Sequence, residues 1–261
     1  MKKVLMIALM VCCLVGCGSQ REVMPEERNY VSESELEKVY ISPDDYKGKY
    51  IKVSGRVAQD SKIQEDKIYF EMYADPHGYN NVTEIYYLGE NSFELGDVVT
   101  VDGKITGAHV YTDIYGNEVV ALKIESDNVV EGNYIDCFSP TIKEVIIEET
   151  IDQYGYAFTI NKIEYAEEET RLYVTITNAG DAELDVSENK IIMVQNQKQY
   201  KRQSNQFANY ESIDTTLYPD TVTSGIITFP PMRTESGGKI YCEAYCEDIE
   251  NVKLEPYIFE Y

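Results

Sequence analysis

Tyr50-Ile51-Lys52-Val53-Ser54-Gly55-Arg56-Val57 decides how the rest of the chain is read. Apolar Ile51, Val53 and Val57 recur at every second position. That is the period of a strand with one face in a core. The same pattern recurs downstream, in Ile68-Tyr69-Phe70-Glu71-Met72-Tyr73 and Thr83-Glu84-Ile85-Tyr86-Tyr87-Leu88, then in Asp97-Val98-Val99-Thr100-Val101-Asp102-Gly103-Lys104-Ile105 and Glu118-Val119-Val120-Ala121-Leu122-Lys123-Ile124. Five strands with glycines in strand interiors, where a sheet bends sharply, predict a small closed barrel. The chain has 23 Tyr and 7 Phe but no Trp, and only 16 Gly and 8 Pro in 261 residues. Tyrosine-rich and β-branched segments favour strands, and so little Gly and Pro argues for a folded body.

Residues before and inside the first strand, Tyr46-Lys47-Gly48-Lys49-Tyr50-Ile51-Lys52-Val53-Ser54-Gly55-Arg56-Val57, resemble the opening of the OB-fold family called tRNA-anticodon-binding-like. The fourth-strand pattern of that family is matched by Leu95-Gly96-Asp97-Val98-Val99-Thr100-Val101-Asp102-Gly103. The resemblance spans about residues 34–130 and implies a five-stranded OB-type barrel over 34–131. It implies a fold and not an activity, because that fold hosts many ligands. Ser34 with Glu37 has capping-box spacing, so a short helix is expected from there to about Tyr40.

Residues 132–150 are less regular and read as a linker. Strands resume at Tyr156-Ala157-Phe158-Thr159-Ile160-Asn161-Lys162-Ile163-Glu164-Tyr165 and Arg171-Leu172-Tyr173-Val174-Thr175-Ile176-Thr177-Asn178, the latter closed by a turn at Asn178-Ala179-Gly180-Asp181. The series goes on through Ile191, Ser224, Lys239 and Tyr257. Six or seven short strands over 151–261 predict an Ig-like β-sandwich. Val174 to Asp181 and Leu217 to Phe229, with Gly225 between, resemble telokin-like, immunoglobulin-type domains of unknown function in Gram-positive extracellular lipoproteins. Tyr218-Pro219-Asp220 departs from the Pro-Gly usual there, and the two Cys of the next strand are a second departure. The family assigns no catalysis.

Met1-Lys2-Lys3 precedes an apolar run over residues 4–15, too short for a spanning helix of about 20 residues. It ends in Leu14-Val15-Gly16-Cys17, which resembles the lipobox of bacterial lipoprotein signal peptides. The resemblance implies cleavage of residues 1–16, a diacylglyceryl and palmitate-type anchor on Cys17, and an extracellular position on the cell membrane. Residues 17–33 then read as a polar, acidic tether. The formal charge is −23, and loss of Lys2 and Lys3 makes it −25. That excludes nucleic acid and anionic headgroups as partners and suits solubility, cation binding or a basic partner.

Of six Cys, Cys137, Cys242 and Cys246 remain in the body. Cys242 and Cys246, on one strand, would lie about 13 Å apart, beyond bridging distance. Cys137 pairing with either, or three buried thiols, both fit. No G-x-S-x-G, P-loop, H-E-x-x-H or C-x-x-C occurs, so no cofactor, metal or catalytic residue is expected. Ser187-Glu188-Asn189-Lys190 reads as a chance S-x-x-K, and His77 as a solvated loop residue. Glu167-Glu168-Glu169 reads as a solvated turn, and Asp181, Glu183 and Asp185 fan out on a strand. The candidate ligand contacts are His109, Tyr111 and Tyr115, placed in the loop between the fourth and fifth strands, where OB-folds bind. The expectation is a non-enzymatic module binding an envelope protein or an extracellular glycan. The alternatives are an envelope enzyme or subunit with an interdomain site, or a ligand-free spacer.

Overall fold

The computed structural model describes residues 28–246 and 252–261. The expected signal peptide, Cys17 and most of the tether lie outside the described residues. Within them the chain is mostly strand, laid out in several sheets, in keeping with an all-β protein.

The chain enters along an existing strand. Tyr50 N donates to Asn29 O and Val31 N to Tyr50 O, both at 2.8 Å, while Arg28 reaches Asp102 and Asp127. Residues 28–32 are therefore docked rather than free tether. Helix α1 (Leu36–Ile41) follows a 3-10 turn at Glu33–Glu35. Its capping pair is not Ser34–Glu37. It lies earlier, where Ser32 donates through its backbone N and its hydroxyl to Glu35 Oε2, at 3.1 and 2.6 Å.

Six strands come next: β1 (Tyr50–Val57), β2 (Lys62–Gln64), β3 (Lys67–Tyr73), β4 (Val82–Tyr87), β5 (Val98–Thr112) and β6 (Glu118–Gly132). β1 pairs antiparallel with β5, β5 with β6, and β4 with β3, while β6 and β4 run parallel. Arg56 opposite Tyr73 and Val57 opposite Met72 return β3 to β1, so the sheet closes on itself. Inside sit Ile51, Phe70, Met72, Ile85, Val101 and Leu122. Gly103 lies at a register shift between β5 and β6, where a Cβ would fall 2.6 Å from the Glu125 carbonyl oxygen. Only glycine permits that bend. β5 and β6 each extend well past their expected ends, so the loop expected over residues 107–117 shrinks to a tight turn at 113–117.

The expected linker is ordered. It holds helix α2 (Tyr134–Phe138), capped by Asn133 accepting from Asp136 N, and strand β7 (Lys143–Gln153). β7 is half-exposed, acidic and broken by a register shift between Ile146 and Glu149, so its period-two signal fails. Such charge is characteristic of an edge strand, which it is. β8 (Tyr156–Tyr165), β9 (Thr170–Asn178), β10 (Leu184–Val186), β11 (Ile192–Gln195), β12 (Lys198–Lys201), β13 (Thr216–Leu217), β14 (Thr221–Phe229), β15 (Gly238–Cys242), β16 (Ala244–Cys246) and β17 (Tyr257–Glu260) complete the chain. Sheets β14-β9-β8-β7 and β12-β11-β15-β17, with the small sheet β13-β10-β16, share one core. Phe158 and Tyr257 meet in it with ring centroids 4.6 Å apart. Gly225 is required because a Cβ there would lie 2.7 Å from Ile213 N.

The Cys-bearing stretch is two strands, β15 and β16, in different sheets. Cys137, Cys242 and Cys246 are all free thiols. Cys242 is buried, and burial pushes its thiol far up. Cys246 Sγ lies 3.1 Å from Tyr156 OH.

One ionic cluster braces the start of this half. Arg171 is wholly buried, its Nε 3.0 Å from Glu164 Oε2 and its Nη1 2.7 Å from Glu169 Oε1. Nη1 also donates to Ser139 O and Nη2 to Thr141 Oγ1, at 2.9 and 2.8 Å. The guanidinium thus ties residues 139–141 to β8 and β9. Of the run expected to be a solvated turn, only Glu167 and Glu168 are exposed, and Glu169 is buried.

Candidate functional site

Period two puts every second residue of β3, β4, β5 and β6 outside the closed sheet. In register these are Tyr69 opposite Tyr86 and Glu71 opposite Glu84, with Lys123 beyond Glu84 on β6. His109 and Tyr111 extend the face on β5. The Tyr69 and Tyr86 rings meet edge-on at 5.3 Å, and His109 and Tyr111 lie 5.4 Å apart. Like charges directly opposite on a sheet are destabilising, so Glu71 and Glu84 must be stabilised separately. Tyr69 OH donates to Glu71 Oε1 at 2.6 Å, and His109 Nδ1 sits 2.5 Å from Glu84 Oε1. Neither carboxylate has a lysine or arginine ion pair among the described residues. Lysines lie at the margins instead, Lys62 over Tyr69 and Lys123 over Tyr86, about 5 Å above each ring.

Burial, followed by the carboxylates of Glu71 and Glu84, holds the Tyr69 phenol far above its ordinary range. Burial and Glu84 raise Tyr86, and burial and Glu71 raise Tyr111. All three hydroxyls therefore stay protonated at any physiological pH. The face offers flat rings, hydroxyl groups and the part-exposed Glu71 carboxylate, with Glu84 buried beneath His109, which is a recognition chemistry.

His109 and Tyr111 do come together, but on strand β5 rather than in a loop. Tyr115 does not join them. It stands 83% exposed at the turn, whose shape comes from Asp113 Oδ1 accepting from Tyr115 N and Asn117 N at 2.9 and 2.8 Å. Tyr69, Glu71, Glu84 and Tyr86 escaped the sequence reading. The available signal was their outward parity in β3 and β4, although register alone makes them neighbours. His77 is exposed in the loop between β3 and β4, as expected, and its Nε2 also contacts Glu168 of the second half. Ser187 precedes a 3-10 turn at Glu188–Lys190, and Lys190 pairs with Glu243 at 3.1 Å. Among the described residues no group of three or more His, Cys, Asp or Glu is arranged to hold a metal ion.

Comparison with known protein families, with curated proteins and with solved structures finds no match to this chain.

Proposed function

We propose that the chain is a lipid-anchored surface lipoprotein whose N-terminal half is a non-catalytic binding module for a basic segment of an envelope protein. The N-terminal half reads as an OB-type barrel. Its cyclic order β1-β3-β4-β6-β5, with a single parallel pair between β4 and β6, supports that reading. The two four-stranded sheets over one core support an Ig-like, telokin-like sandwich for the second half.

The observation that carries the function is the outer face of β3 and β4. Glu71 and Glu84 sit side by side among tyrosines, Glu71 part-exposed and Glu84 buried against His109, and no lysine or arginine pairs with either among the described residues. A partner's lysines and arginines complete such a surface by ion pairing and by stacking on the rings. The overall charge of −23 adds long-range attraction for the same partner. An extracellular glycan on the tyrosine rings is the second reading, favoured by the Tyr69–Tyr86 and His109–Tyr111 pairs.

Titration with a lysine-rich, tyrosine-containing peptide and with neutral oligosaccharides tests this. The peptide is expected to bind, to weaken at least tenfold in the Tyr69→Ala/Tyr111→Ala variant, and to lose affinity as salt rises. Oligosaccharide binding lost in the same variant, without peptide binding, transfers the face to the glycan reading. Binding of neither probe refutes recognition by this face. Anchoring has its own test. Cys17→Ser is expected to move the protein from the detergent to the aqueous phase on detergent-phase partitioning, since among the described residues no helix is long and apolar enough to cross a membrane.

A further inference from the structure

A concavity lies where the two halves meet, lined by none of the residues of the β3–β4 face. It encloses about 310 Å³, at the lower end of small-molecule sites, which run about 300–1,000 Å³. One rim is the loop between β3 and β4, carrying His77. The opposite rim is the turn between β8 and β9, carrying Glu168, and these two side chains touch across it. The wall is the segment after β12, residues 203–207. Gln203 N donates to Thr228 O at 2.8 Å and the Thr228 hydroxyl donates to Gln203 O, so β14 pins that wall.

The chemistry of the lining is selective. Its one buried charge, Glu169, is already saturated. Oε1 accepts from Arg171, Tyr210 and Ser139 at 2.7, 2.5 and 3.0 Å, and Oε2 from Asn205 at 3.1 Å. An incoming cation or anion therefore finds no unpaired buried charge to match. What remains free are the side chains of Gln203, Ser204 and Gln206, which hydrogen-bond to nothing among the described residues. Beside them stands the Phe207 ring, held edge-on to Tyr79 at 5.5 Å and stacked by Arg56 at 4.5 Å. Two amides and a hydroxyl that each donate and accept, next to an immobilised ring, match a ligand with hydroxyls at its edge and C–H groups on its face. That combination is a sugar ring. The pocket volume suits a single unit.

We propose that this cleft is a binding site for one neutral pyranose unit of a glycan. It is independent of the β3–β4 face, and its occupancy leaves the partner of that face unspecified.

The test is isothermal titration of the mature chain in a sugar-free detergent with glucose, galactose and N-acetylglucosamine, together with hydrogen exchange of the same samples. A sugar with a Kd of about 1 mM, some −4 kcal/mol, is within reach of both methods. Binding is expected for at least one of them, with slowed exchange confined to residues 203–207 and the β8–β9 turn. Gln203→Ala/Gln206→Ala alters two exposed side chains, so it is expected to weaken binding at least tenfold without moving the melting temperature. Tyr69→Ala/Tyr111→Ala is expected to bind the sugar as the parent does. Absence of binding to all three sugars, binding untouched by the glutamine variant, or protection on β3 and β4 instead of the cleft would each overturn the proposal.

Discussion

Arg171→Met is expected to cost the fold about 3–5 kcal/mol, read as a lower urea midpoint followed by far-ultraviolet circular dichroism. Methionine fills most of the space of the arginine stem, so lost packing is a small part of the effect. The loss comes from what is stranded. Glu164 and Glu169 are both buried and both rely on the guanidinium, through Nε and Nη1. Glu164 keeps Lys162 Nζ at 2.5 Å, but Glu169 has no other cation among its partners. Ser139 O and Thr141 Oγ1 also lose their donors, which releases the entry to β7. Adding Glu169→Gln to Arg171→Met removes the stranded charge and is expected to recover part of the loss, because an uncompensated buried ion is the main penalty. A drop below about 1 kcal/mol for Arg171→Met would place the cluster among surface pairs, which contribute about that much or less.

This cluster also marks where reading the sequence stops. Arg171 opens a stretch that alternates as a strand should, and β9 indeed begins at Thr170. Nothing local says that an arginine at a strand start will be wholly buried. Its partners come from residues 139–141, 164, 169 and 210, brought together only by tertiary packing. β1, whose period runs unbroken, was legible to the residue, and so was β8 despite a bulge between Ile160 and Lys162, because its alternation holds on either side. β7 was not, since a bulge and seven exposed positions disguise it. The candidate face divides in the same way. His109 and Tyr111, expected in the loop after the fourth strand, are neighbours, but on strand β5. Glu71 and Glu84 become a pair only through the β3–β4 register, which is set by the length of the 74–81 loop and by the core residues on the other side of each strand. Tyr115 failed for the opposite reason. It belongs to a five-residue turn that the long hairpin carries away from the sheet face.

Acid is expected to remove the contribution of the same cluster. Burial by itself would raise Glu169, yet hydrogen bonds from Tyr210, Asn205, Arg171 and Ser139 outweigh it and hold the carboxyl below the usual range. Burial likewise opposes Glu164, and Lys162, Tyr173, Arg171 and Thr141 overcome it. Both groups have a folded pKa below the unfolded value of about 4.3. The unfolded chain therefore takes up protons first as pH falls. Stabilisation from the two carboxylates is complete above the unfolded pKa, shrinks as pH drops beneath it, and is gone once pH has passed the folded value. Each unit of depression corresponds to about 1.4 kcal/mol. Urea unfolding from pH 7 down to pH 3 measures this when the parent is compared with Glu169→Gln. The variant is less stable at pH 7, because its amide cannot replace an anion facing Arg171. It has no proton to take up at that position, so its curve is expected to fall less steeply, and the two curves converge at the acid end. A gap of constant width across the range would mean that Glu169 has the same pKa folded and unfolded. The charge of Glu169 would then do nothing for the junction of residues 139–141 with β8 and β9, and the brace would rest on hydrogen-bond geometry alone.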